Sequence, residues 1–321
     1  MSAAGTTVAV VIPSRDRRDL LALTLDSLAR QSRPPDQVIV VSDGSTDGTE
    51  DMVLAKAGSI PNLSLVRTEG IGPGAARNVG WRRTQAEIVA FIDDDCTATS
   101  SWIEAIIAPF SDEGTGIVQG RTVPDGPMGP HDKSISVTSE YGLYETCNIA
   151  YRRTALEDAG GFDDRFGLRP KSRFRLLHAP HFGEDTHLAW RVKRKGWRSR
   201  FSDAALVHHA VFPRTYRQAL RYEWGKSLFP YLLREVPEIR ELLPAGRYFL
   251  RRQSPMAQMV IIGLPLLAMG RRLAGAALVT PYLVWLVRRD SPKTAAEQAG
   301  RDLVASAALL VGSVRFRRLL L

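Results

Sequence analysis

The chain has 321 residues, 44% apolar and 24% charged, with 43 basic against 34 acidic residues and a formal net charge of +9. These proportions belong to an ordinary globular protein and exclude a disordered, collagenous or disulfide-stapled chain. The charge is unevenly shared: residues 213–321 carry 18 Lys and Arg against 7 Asp and Glu, whereas residues 1–212 are slightly acidic.

The N-terminus passes from a few small residues straight into an apolar run, without the basic and apolar regions of a secretory signal, so no export is expected. The two cysteines, Cys96 and Cys147, are far apart and lack metal-ligand spacing, which points to a reduced compartment and no disulfide framework. Residues 7–12 are β-branched and apolar throughout, as in a strand buried on both faces, and Pro13 is expected to end it. Leu20, Leu21, Leu25 and Leu28 have helical spacing over 19–31, and Pro34-Pro35 stops that helix. Residues 37–41 form a second strand. Asp43-Gly44-Ser45-Thr46-Asp47-Gly48 then turns into a second helix. A third strand over 63–66, a third helix over 75–84 and a fourth strand over 87–92 complete an alternating α/β pattern with a mainly parallel sheet. Ligands of such sheets sit beyond the carboxyl ends of the strands, a rim that carries Ser14, Arg15, Asp43 and Asp93–Asp95.

Phe91-Ile92-Asp93-Asp94-Asp95-Cys96 is the centre of this reading. Three carboxylates leave the core together, and like charges resist joint ionisation unless a cation neutralises them. Oxygen ligands suit Mg²⁺ or Mn²⁺, which bind a few carboxylates plus substrate phosphates. A solvated acidic turn is the alternative for the triplet alone. Gly70-Ile71-Gly72-Pro73-Gly74-Ala75 fits a dinucleotide fingerprint poorly, because it follows the third strand and Pro73 removes a donor. A turn that brings Arg77 and Asn78 to an anionic ligand accounts for it equally well, as does a turn with no ligand.

Strands are expected over 116–121 and 146–151, then a short helix ending at Gly160-Gly161. A basic loop over 168–182 holds Arg169, Lys171, Arg173 and Arg175. Glu184-Asp185 opens a helix that runs to Gly196, either as plain capping or as a general base at the site rim. His208-His209 ends a strand-like run, where structural and metal-binding roles are both open. In the tail, Tyr216, Leu220, Trp224 and Leu228 mark a helix. Two apolar arms, 256–270 and 273–287, flank Arg271-Arg272. Each is shorter than the roughly 20 residues of a spanning helix, and one continuous span would bury both arginines. Helices lying in the membrane interface, with arginines at anionic headgroups, satisfy both constraints, with a buried helical core as the alternative. The expected partner of the basic tail is therefore the cytoplasmic membrane surface rather than nucleic acid.

Taken in order, Val10 to Arg15, Gln31, Val38 to Val41, Asp43 to Thr49, Ala76-Arg77-Asn78-Val79-Gly80, Phe91 to Asp95, Gly160 to Asp163 and Glu184-Asp185 resemble glycosyltransferase family 2. Each is weak alone; the ordered set, over about residues 7–210, is strong. The resemblance implies a Rossmann-like sheet of GT-A type flanked by helices, here a catalytic domain over 1–212 with a helical appendage over 213–321. It implies an inverting transfer from a nucleoside-diphosphate sugar to a hydroxyl acceptor. Asp43 would hold the base or ribose near Pro13, Ser14 and Arg15, and Arg77 would stabilise the leaving diphosphate. Asp95 would bind Mg²⁺ or Mn²⁺ directly, Asp93 the ribose or the metal, and Asp94 the nucleotide, although three consecutive aspartates leave the frame open. Asp185, beside Glu184, would be the base, and His209 or His208 a further metal or diphosphate contact. The long interval before Glu184 departs from the family pattern on the acceptor side. A membrane-bound tail favours lipid-linked or envelope glycan acceptors. The rival readings are a sugar nucleotidyltransferase, which would carry a glycine-rich loop where Pro13-Ser14-Arg15 stands, and an inert membrane-bound sugar-binding protein.

Overall fold

A computed structural model describes residues 5–60, 62–163, 182–243, 247–250, 254–289 and 291–321; the basic-loop residues Arg169, Lys171, Arg173 and Arg175 lie outside them. Two compact units result, one of residues up to 127 with 134–163 and 182–212, the other of 128–133 and the described residues from 213 onward.

The first unit is built on one sheet. Strands β1 (Val8–Ser14), β2 (Gln37–Asp43), β3 (Leu63–Thr68) and β4 (Ile88–Ile92) are parallel, with β1 between β2 and β4 and β3 outside β2. Helices α1 (Arg18–Ala29), α2 (Thr49–Lys56) and α3 (Pro73–Trp81) make the crossovers. Alternation along β1 explains why it is apolar on both faces. Val8, Val10 and Ile12 pack with Leu21, Leu25 and Leu28 of α1, while Val11 faces the opposite core with Ala76 and Trp81 of α3. The strand continues through Pro13 to Ser14. Its pairing with β4 stops at Val11, so the proline's missing N–H falls where β4 asks for no donor.

Beyond β4 the sheet becomes mixed. After β5 (Cys96–Ala98) and α4 (Trp102–Ile107) come β6 (Thr115–Pro124), β7 (Asn148–Arg152), α5 (Arg153–Ala159), α6 (Glu184–Arg194) and β8 (Arg198–His209). β7 lies antiparallel to both β4 and β6, and β5 antiparallel to β8, giving the order β3-β2-β1-β4-β7-β6-β8-β5. Cys96 and Cys147 are free, buried and hydrogen-bonded to each other despite their separation in sequence.

The second unit is helical: α7 (Tyr216–Trp224), α8 (Phe229–Glu235), α9 (Ile239–Leu242), α10 (Ser254–Ala268), α11 (Arg272–Arg289) and α12 (Pro292–Phe316). Thr215 and Gln218 close a capping box on α7. The single helix expected around Tyr216–Leu228 is interrupted by a tighter turn at Gly225–Leu228, and Pro230 starts a new helix. Glu223 is fully buried and held by Lys226 and by Arg301 at 2.9 Å. The two apolar arms are α10 and α11. They pack through Gly263 and Gly275, where a Cβ on either would meet the other helix at 3.0 Å or less. Ala257 and Val260 of α10 share a core with Tyr282 and Leu286 of α11 and Ala295 of α12. Their other faces leave Ile262, Leu273 and Val287 exposed, and Met269 is exposed in the turn between them. No described helix is long and apolar enough to cross a membrane.

Candidate active site

The carboxylates of the first unit lie at the ends of the parallel strands, where backbone groups leave the ladder and side chains can converge. Asp43 ends β2 and is buried. Its carboxylate accepts from Thr68 Oγ1 (2.7 Å), the Ile71 N–H (2.8 Å) and the Gly72 N–H (2.7 Å). Burial works against its charge, but these hydrogen bonds prevail and hold the carboxyl below its usual range. The glycine-rich segment is thus a turn organised by Asp43, with Gly70 and Gly72 at positive φ, and it opens α3, which carries Arg77.

Arg77 is buried, with its guanidinium 2.7 Å from Asp93 and 3.8 Å from Glu184. It therefore joins the end of β4 to the start of α6, elements separated by the mixed half of the sheet. Its Nε finds no acceptor among the described residues. Asp94 accepts from the Ser14 hydroxyl at 2.7 Å and lies 3.3 Å from Arg17. Burial pushes the Asp94 carboxyl up to about 7, against the pull of Arg17 and Ser14. Arg17 also binds Asp95 Oδ2 and packs over the Phe212 ring. Pro13 stays within the strand, and Arg15 is a surface side chain 3.9 Å from Asp16.

On its other oxygen, Asp95 Oδ1 faces His209 Nε2 at 3.5 Å. His209 Nδ1 lies 2.8 Å from the Ala210 carbonyl, which accepts its proton. With Nδ1 turned to that carbonyl, Nε2 and the Asp95 oxygen are left facing each other, a pair of ligand atoms that could hold a cation. The donor set of carboxylate oxygen and imidazole suits Mn²⁺. Cys96 Sγ lies 3.9 Å from Asp95, but its hydrogen bond to Cys147, with burial, raises the thiol well above its usual value and leaves it a poor ligand. Strand alternation puts His208 on the opposite face of β8 from His209.

At the start of α6, Glu184 is buried against Arg77 and Asp185 is half-buried. Asp185 Oδ1 accepts from the Thr186 N–H at 2.7 Å. Burial, then the charges of Glu184 and Glu145, push its carboxyl well above the ordinary aspartate value. Thr186 Oγ1 donates to the Leu143 carbonyl (2.6 Å) and Trp190 Nε1 to that of Gly142 (3.0 Å), so α6 holds the loop bearing Tyr141 and Glu145. Tyr141 donates to Glu145, which burial raises. Sequence reasoning missed Arg17, Tyr141 and Glu145. Only the run Arg15-Asp16-Arg17-Arg18 directly after β1 hinted at the first.

A model described as glycosyl transferase family 2 matches residues 9–165, and one described as glycosyl transferase family group 2 matches residues 88–292. The chain belongs to glycosyltransferase family 2. Among similar proteins, the pre-mycofactocin glycosyltransferase of Mycobacterium tuberculosis is 29% identical over 262 residues, 74% of this chain and 50% of that one. Glycosyltransferase AglE of Haloferax volcanii is 29% identical over 219 residues, 64% of this chain and 67% of its own. The chain thus spans about half the length of the mycobacterial relative. The mannosyltransferase PcManGT from Pyrobaculum calidifontis, solved with GDP-Man and Mn²⁺, superposes with a TM-score of 0.58 at 19% identity, over 97% of this chain and 86% of that one. That likeness extends the GT-A type fold to this family 2 member.

Proposed function

We propose that this family 2 glycosyltransferase moves a sugar from a nucleoside-diphosphate donor to an acceptor hydroxyl by one inverting displacement, with Asp185 as base. The observation that carries the reading is Arg77, which ties Asp93 to Glu184, the neighbour of Asp185. In this reading the donor-side and acceptor-side carboxylates gather around that one guanidinium. Asp185 takes the proton as the hydroxyl attacks the anomeric carbon; its raised affinity for protons makes it a stronger base than an ordinary aspartate. Arg77, buried and with an Nε–H that meets no acceptor among the described residues, offers charge and a donor to the diphosphate as it leaves. Asp95 and His209 would hold a divalent ion, which supplies further neutralisation of that leaving group. Asp43 shapes the nucleotide end through the turn at Gly70–Gly72. The GDP-Man and Mn²⁺ bound by the Pyrobaculum neighbour support this chemistry by analogy of fold.

The acceptor in this reading is a lipid-linked or envelope glycan, reached from the cytoplasmic face of the membrane. Support comes from the exposed apolar faces of α10 and α11 beside Arg271 and Arg272. Asp185→Asn should abolish transfer while nucleotide-sugar binding stays within a few-fold. Asp95→Ala should weaken Mn²⁺-dependent binding of the nucleoside diphosphate in calorimetry. Normal turnover by Asp185→Asn would remove the base from its role.

A further inference from the structure

Arg17 takes no part in the chemistry proposed above, yet its guanidinium holds the oxygens that matter most. It contacts Asp94 Oδ1 at 3.3 Å and Asp95 Oδ2 more closely, with Phe212 5.2 Å beneath. Asp93 is already matched by Arg77. Arg17 is therefore the cation that lets Asp94 and Asp95 sit side by side with little exposure. Arg17 holds Oδ2 of the Asp95 carboxylate, and a divalent ion held by Oδ1 and His209 Nε2 would claim the same carboxylate. Two positive groups on one carboxylate repel each other, and in a partly buried site water screens that repulsion only weakly.

We propose that Arg17 is a built-in counter-cation that competes with the divalent ion for Asp95 and so sets how tightly the ion binds. The inference rests on the reading of Asp95 and His209 as ion ligands. It makes Arg17 a positioning residue: it keeps the aspartate pair ordered before the ion arrives and is released from Asp95, or weakened there, when the ion binds. A purely structural pin would behave differently. Removing a pin loosens the aspartates and weakens ion binding, whereas removing a competitor strengthens it.

The test is a titration of the full chain with Mn²⁺, following the paramagnetic resonance signal of the free ion, in wild type, Arg17→Gln, Arg17→Lys and Asp95→Asn. Arg17→Gln should bind Mn²⁺ about tenfold more tightly than wild type. Arg17→Lys keeps the charge but loses the planar fork that spans two carboxylates, and should fall between them. That variant decides the matter if the glutamine variant does not fold. Asp95→Asn should bind several-fold more weakly than wild type. Binding by Arg17→Gln and Arg17→Lys that is equal to or weaker than wild type, with Asp95→Asn still impaired, overturns the competitor and leaves the ion site standing. Failure of all four folded proteins to take up Mn²⁺ overturns the ion site and the competitor together.

Discussion

Asp185 offers the most direct test at the scale of a single residue, because its two neighbours push it the same way. Burial raises its carboxyl first, Glu184 second and Glu145 third, while Arg77 pulls it down. A base works only when deprotonated, so activity should fall as pH drops through this raised value, above the range of an ordinary aspartate. Glu184→Gln removes one negative charge without changing size. The carboxyl should then ionise more easily, and the acidic limb of kcat/KM should move to lower pH. Glu145→Gln should move it the same way and less, in line with the order of the two effects. A limb that stays in place in both variants would mean that another group titrates there.

At the scale of elements, the approach of α3 to the sheet determines where Arg77 sits. Gly80 faces β1, and a Cβ there would lie 2.3 Å from Val11 Cγ1 and 3.2 Å from Val41 Cγ2. Alanine gains up to about 1 kcal/mol in a helix relative to glycine. Overpacking a filled core costs about 1–3 kcal/mol, and Val11 is held on both sides by neighbouring strands. The clash should win, so Gly80→Ala should lower the unfolding midpoint in urea and weaken nucleotide binding by shifting Arg77. The same packing explains which elements could be read from the sequence. β1, β2 and β4 are continuous apolar runs because both faces are covered, and the strand-end aspartates stand out against them. β5 has three residues and carries no periodicity. α12 is rich in alanine, glycine and serine, so its buried side makes no apolar stripe. Arg17 is one of three arginines in four positions, and what turns it inward is long-range. Asp16 adopts φ of +50° and is clasped by Ser45 and Thr46, 29 and 30 residues away. The link from Glu145 to Asp185 likewise depends on α6 catching a loop more than 40 residues upstream.

At the scale of the whole chain, the two units differ in charge and in what they leave exposed. The helical unit holds most of the excess positive charge, and α10 and α11 bury one face in their shared core while leaving the other open. Leu273 is 90% exposed and Met269 66% exposed, flanking Arg271 and Arg272 at the turn between the helices. Apolar side chains beside cations suit a bilayer interface with anionic headgroups, each basic residue contributing about 1 kcal/mol near the surface. Both terms can be separated in vesicle co-sedimentation with the full chain. Leu273→Glu removes about 1.5 kcal/mol or more of apolar burial and adds a repelled charge, so binding to anionic vesicles should fall roughly tenfold. Because that side chain touches little within the protein, the thermal midpoint should stay within a degree or so of wild type. Added salt should weaken binding of the wild type by screening the arginines, and neutral vesicles should bind it less well. Equal sedimentation of wild type and Leu273→Glu would mean that these helices do not meet the bilayer, and the acceptor would then be sought among soluble glycans.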